Sequence, residues 1–235
     1  MDLASPGFWA ALGSIILTNI VLSGDNAVVI ALAARALPPQ HQRKAIVWGS
    51  ALAVVMRVLL TLVAIKLLEL PYLKLVGGVL LLYVGVQLLL DEEDEEEHGT
   101  PPAEVGVWMA VRMILVADVV MSLDNVLAVA AAAHNDLSLL VIGLGLSVPL
   151  IVFGSTLLLK VMQRWPLIVT AGGGLLGYLA GGMLSTDPVI ERWLGSPTGL
   201  AAVVTALAGT AFVLAASWLL RRRHARRDSS RPIGS

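Results

Sequence analysis

The sequence predicts an all-α polytopic membrane protein with seven transmembrane helices, arranged as two inverted three-helix repeats plus one extra C-terminal helix. Three observations carry this. Hydrophobic residues fill 57% of 235 positions, charged residues 14%, and the mean hydropathy is +0.83, whereas soluble domains are nearer a quarter charged. The apolar residues gather into runs close to the ~20 residues that cross a bilayer as a helix. A polar kernel inside the first run recurs 99 positions later, inside the fourth.

Cut at charges, prolines and turn residues, the runs lie at about 8–34, 45–67, 73–90, 107–132, 137–160, 166–184 and 199–220. The first is preceded by Asp2 rather than basic residues and is too long for a signal-peptide core. Runs one and four exceed a minimal span, which leaves room for tilt or for a break at Ser23-Gly24, where glycine weakens the helix. Pro149 is expected to interrupt the fifth helix and kink it. Residues 8–90 then make the first repeat, 91–106 an acidic cytoplasmic linker, 107–185 the second repeat, 199–220 the seventh helix and 221–235 a basic tail.

Charge placement orients the chain. Six arginines lie between Arg221 and Arg231, and Arg35, Arg43, Lys44, Lys160 and Arg164 fall in loops on that same side. Placing that side in the cytoplasm puts the N-terminus outside and the C-terminus inside. The seven acids from Asp91 to Glu97 count little in this rule and read as a solvated linker.

The duplication extends beyond the kernel. Gly49 and Lys66 match Gly143 and Lys160 at an offset of 94, and Gly78 and Gly85 match Gly174 and Gly181 at 96. Three crossings reverse the side, so two such units in tandem are oppositely oriented, the plan of many secondary transporters with midplane ligands.

The kernel reads Asn19-Ile-Val-Leu-Ser-Gly-Asp25-Asn26-Ala27 in the first copy and Asp118-Val-Val-Met-Ser-Leu-Asp124-Asn125-Val126 in the second. A carboxylate at mid-membrane depth costs roughly 2.5–3.5 kcal/mol on insertion scales. Asn or Ser alone would serve helix packing, so incurring that cost in both halves points to use. Asp25, Asn26, Asp118, Asp124, Asn125 and Asn19 offer only hard oxygen ligands, suited to Mn2+, Mg2+ or Ca2+. Asn19 and Asp118 each stand seven residues, close to two turns, before Asn26 and Asn125, on one stripe. Ser23 and Ser122 are small polar neighbours of these ligands. Arg57 sits mid-span where repeat two has Ile151, too deep to snorkel, and demands a buried carboxylate, a contact to Glu69 or lipid headgroups being the alternative. Three aspartates, one arginine and one divalent cation sum to zero charge, which suits Arg57 as the counter-charge when the metal leaves.

No cysteine is present, which excludes disulfides, thiolate zinc sites and cysteine nucleophiles. The Gly-x4-Gly-Lys-[Ser/Thr] consensus is missing too, which argues against direct ATP coupling. No organic cofactor, enzymatic activity or nucleic-acid partner is expected; the expected partners are the lipid bilayer and a divalent metal ion.

On Asn19…Ser23-Gly24-Asp25-Asn26-Ala27 and Asp118…Ser122-Leu123-Asp124-Asn125, the chain resembles the TerC family of bacterial integral membrane proteins, over about residues 8–220. The resemblance implies a seven-helix protein of the LysE-like transporter grouping in the bacterial inner membrane, associated with manganese export and tellurium resistance. It places the family's motif carboxylates on Asp25, Asp118 and Asp124. The function expected is secondary export of a divalent cation, Mn2+ foremost, through a midplane Asp/Asn site. Two other classes compete. An intramembrane aspartyl-dyad hydrolase would want Tyr-Asp and Gly-x-Gly-Asp motifs, which this chain does not carry. A non-transporting scaffold for metal or tellurite stress would tolerate neutral residues at Asp25 and Asp124.

Overall fold

A computed structural model describes residues 9, 12–14, 16, 17, 24–68, 70, 72–90, 103–132, 137–195 and 199–228; within these, the side chains of 64–68, 103–105, 124–132, 137, 139, 140, 194 and 224–228 lie outside the description. Helix is the regular structure among the described residues. The bounded helices are α1 (Gly24–Arg35), α2 (Pro39–Leu68), α3 (Leu73–Leu90), α4 (Ala103–Ala132), α5 (Leu137–Arg164), α6 (Leu167–Ser185), α7 (Pro188–Leu194) and α8 (Leu200–Asp228). Six of them, α2 to α6 and α8, are long and apolar enough to cross a bilayer. The first expected span is described only in part.

Most apolar runs became the helices expected, with three differences of local chemistry. Helix α4 starts at Ala103 rather than 107, directly after Pro101-Pro102, since proline is tolerated at a helix start. Helix α8 continues through the arginines to Asp228, because arginine is a strong helix former and cations suit a helix C-terminus. Pro149 does not interrupt α5, which runs unbroken from Leu137 to Arg164. Membrane helices tolerate proline because neighbouring groups and small backbone adjustments satisfy what it frees.

The bundle is inside-out by the standards of a soluble protein. Trp48, Leu59, Phe153 and Leu157 are exposed, whereas Arg57, Asp118, Ser122 and Asn26 are buried. Four packings position the interior. Helices α2 and α4 run side by side in the same direction, with Leu37 beside Gly106, Gly49 beside Ile114, and Arg57 beside Asp118. Helices α1 and α5 make the corresponding but less extensive contact, with Ala27 facing Gly154. Helices α3 and α6 are antiparallel, with Gly77 against Met183 and Gly173 against Leu89. Helix α8 lies antiparallel on α6, where Gly177 meets the Gly209 backbone and Thr210 Oγ1 donates to the Gly174 carbonyl at 3.0 Å. A side chain at Gly177 would have its Cβ 2.5 Å from the Gly209 oxygen, so glycine is what admits this approach.

Two polar ties fix the helix ends. Asp187, fully buried, accepts from the Val189 N–H at 2.9 Å and from the Leu75 N–H at 3.0 Å. One carboxylate therefore caps α7 and the first turn of α3 together. At the opposite end, Arg221 donates to the Leu89 carbonyl in the last turn of α3, so this arginine serves a helix C-terminus. Arg222 stacks over Trp218, 3.6 Å from the ring centroid.

Candidate ion-binding site

Helix geometry places Asp118 and Ser122 one turn apart on the same face of α4, and α2 brings Arg57 against that face. Arg57 Nη2 donates to Asp118 Oδ1 at 2.5 Å, and its Nε donates to Ser122 Oγ at 3.0 Å. Ser122 Oγ in turn donates to Asp118 Oδ2 at 3.4 Å. Guanidinium, carboxylate and hydroxyl form a closed ring, with side-chain exposures of only 3% for Arg57 and 5% for Asp118. Thr61 Oγ1, one turn on, donates to the Arg57 carbonyl at 2.7 Å and binds the same stretch of α2 to itself. The buried carboxylate that Arg57 requires is thus Asp118, 61 positions away in sequence.

Asp25 and Asn26 open α1. Asp25 Oδ1 accepts from the Asn26 N–H at 2.8 Å. Asp25 is half-buried, on a helix that packs against both α2 and α4, the helices of the Arg57–Asp118 pair. Asn26 is 2% exposed, and both Oδ1 and Nδ2 lack a hydrogen-bond partner among the described residues. A buried amide left so costs about 1–3 kcal/mol by mutational measures.

The rest of the predicted set divides cleanly. Asp124 and Asn125 lie on α4, one turn and more beyond Asp118, in helix that is continuous from Ala103 to Ala132; the second kernel is not broken at Leu123. Their side chains, and Asn19 and Ser23 altogether, lie outside the described residues. Among the described residues no three His, Cys, Asp or Glu side chains come together as a metal cluster. Two hydroxyls that the sequence motifs do not single out, Ser50 and Ser155, are buried without a partner among the described residues. Ser155 follows Gly154, which faces Ala27, the residue after Asn26. The offset of 94 pairs Ser155 with Thr61, a repeated hydroxyl that could have revealed it.

The sequence profile of the family described as "Integral membrane protein TerC family" matches residues 4–225. The chain is 42% identical over 199 residues to the uncharacterized membrane protein YjbE of Bacillus subtilis, covering 85% of this chain and 89% of that protein. It is 28% identical over 184 residues to the inner membrane protein YoaE of Escherichia coli K12, covering 71% of this chain but only 35% of YoaE. It is 26% identical over 149 residues to the membrane protein YceF of Bacillus subtilis, covering 60% and 58% respectively. No solved structure matches the chain.

Proposed function

This chain belongs to the TerC family of integral membrane proteins, and we propose that it is a secondary transporter that exports a divalent cation, Mn2+ foremost, from the bacterial cytoplasm. The observation that carries the reading is the buried Arg57–Asp118–Ser122 ring on two helices that pack against α1, where the Asn26 amide is buried without a partner among the described residues. Carboxylate and amide oxygens in one buried region form a hard-ligand set that suits Mn2+ better than a soft site would.

The packing pattern supports the inverted-repeat plan. Exchanging α1 with α4 and α2 with α5 turns the α2–α4 contact into the α5–α1 contact, and both are made. In this reading Asp25, Asn26, Asp118, Asp124, Asn125 and Asn19 supply the ligands, seven helices span the membrane, and the arginine-rich end faces the cytoplasm. The incoming cation takes Asp118 from Arg57, and Arg57 returns to the carboxylate as the cation leaves. Exchange of one positive partner for another means that Asp118 is never left without a cation beside it, which limits the desolvation cost of each step.

Reconstitution into vesicles tests this. Entrapped dye should report Mn2+ flux in the wild type, with Mg2+, Ca2+, Fe2+ and Zn2+ as competitors, and Asp25→Ala, Asp124→Ala and Arg57→Gln should each abolish it. Wild-type vesicles that carry none of these cations, or carboxylate variants that carry Mn2+ as well as wild type does, would refute the proposal.

A further inference from the structure

Between the opening turns of α2 and α4 lies a cavity of about 420 Å3, lined by His41, Lys44, Trp48, Val107, Trp108 and Val111. None of these residues belongs to the ion site. We propose that this cavity binds the headgroup of an anionic phospholipid, with Lys44 and His41 holding the phosphodiester and Trp48 and Trp108 flanking it.

The position along the helix is right for such a ligand. Helix α2 has 30 residues, about 45 Å at 1.5 Å per residue, against a hydrocarbon core of ~30 Å. Its opening turns therefore lie at headgroup depth. His41, Lys44 and Trp48 follow at intervals of three and four residues and share one face. The α2 and α4 N-termini lie at this same end, Leu37 meeting Gly106, and their positive dipole ends favour an anion. The His41 imidazole forms part of the cavity wall beside Lys44 and supplies a ring N–H that a phosphate oxygen can accept from. Lys44 is exposed and brings the positive charge.

The surroundings select lipid over a free anion. Trp48 is 59% exposed and Trp108 64%, two indoles at interface depth where such rings anchor to headgroups. From Trp48 an exposed apolar stripe continues down α2 through Val55, Leu59 and Leu62, a track for the acyl chain of the same molecule. A soluble phosphate would leave all of this uncovered. The inference rests on the chain's place in the membrane and is independent of the cation reading.

Native mass spectrometry of the full chain in mild detergent tests it, with phosphatidylglycerol and phosphatidylcholine of matched acyl chains as probes. Wild type should retain phosphatidylglycerol about fivefold or more over phosphatidylcholine, the scale set by one lysine at a membrane surface. Lys44→Gln alone should cut that preference severalfold, and Lys44→Gln with His41→Gln should abolish it. Lys160→Gln, an exposed lysine on α5, should leave it intact. The proposal is overturned if the Lys44 variants keep the wild-type preference, if Lys160→Gln loses it equally, or if millimolar inorganic phosphate displaces the lipid.

Discussion

The two helix pairs at the heart of the bundle, α2 with α4 and α1 with α5, correspond under the sequence repeat yet are built to opposite specifications. The first is charged, tight and satisfied. It carries Arg57, Asp118 and Ser122 in a closed ring, and a Cβ on Gly49 would lie 2.6 Å from Ile114 Cδ1. The second has no ion pair of this kind among the described residues and is looser there. The partner position of Arg57 is Ile151, that of Asp118 is Asn19, and the nearest atom to a Cβ on Gly154 is Ala27 Cβ at 4.0 Å. Its polar groups, Asn26 and Ser155, are buried without partners among the described residues. Cation and anion appear together in one copy and are both replaced in the other, as pairing demands, because either alone would be a costly buried charge. One pair is therefore held by a closed polar ring, and in the proposed reading the other offers its oxygen atoms to a ligand.

Substitutions at the two pairs should separate these roles. The largest effect is expected from Asp118→Ala, which strands the Arg57 guanidinium in the interior and should cost about 3–5 kcal/mol, read as a lowered unfolding midpoint in detergent. Arg57→Met with Asp118→Leu should restore most of that stability while Mn2+ flux stays at zero. If the double variant transports, the ring is structural only. Gly49→Ala comes next, overpacking the tight pair at about 1–3 kcal/mol, measured in the same assay. Asn26→Leu should do the reverse at the loose pair, keeping or raising stability by about 1–3 kcal/mol because an unpaired buried amide is removed, while flux is lost. A fall in stability there would mean that Asn26 has a partner after all. The smallest effect is expected from Gly154→Ala, a gain of about 0.4–1 kcal/mol from reduced chain entropy with no clash. Destabilisation by this alanine would show that α1 and α5 close more tightly than the geometry describes.

Much of this was legible in the sequence because the bilayer imposes a simple code, in which length and polarity mark a span. The depth of Arg57 demanded an acidic partner, and the structure supplies one in Asp118. Which acid it takes was not legible, since the choice depends on how α2 lies along α4, and no local pattern encodes a contact across 61 residues. Helix α7 was missed for a different reason. It has only seven residues, PVIERWL, too few for periodicity to speak, and its start is set by Asp187 preceding Pro188. The extension of α8 through the arginines was hidden by reading charge as an end to helix, when charge ends only the apolar span.

Asp187 carries a mechanical corollary. Its two oxygens staple the opening of α3 to the joint between α6 and α7, while glycine contacts weld α6 to α8 and Arg221 pins α8 to the far end of α3. These three long helices are thus braced to one another at both rims, so that displacing any one of them must break ties at both ends.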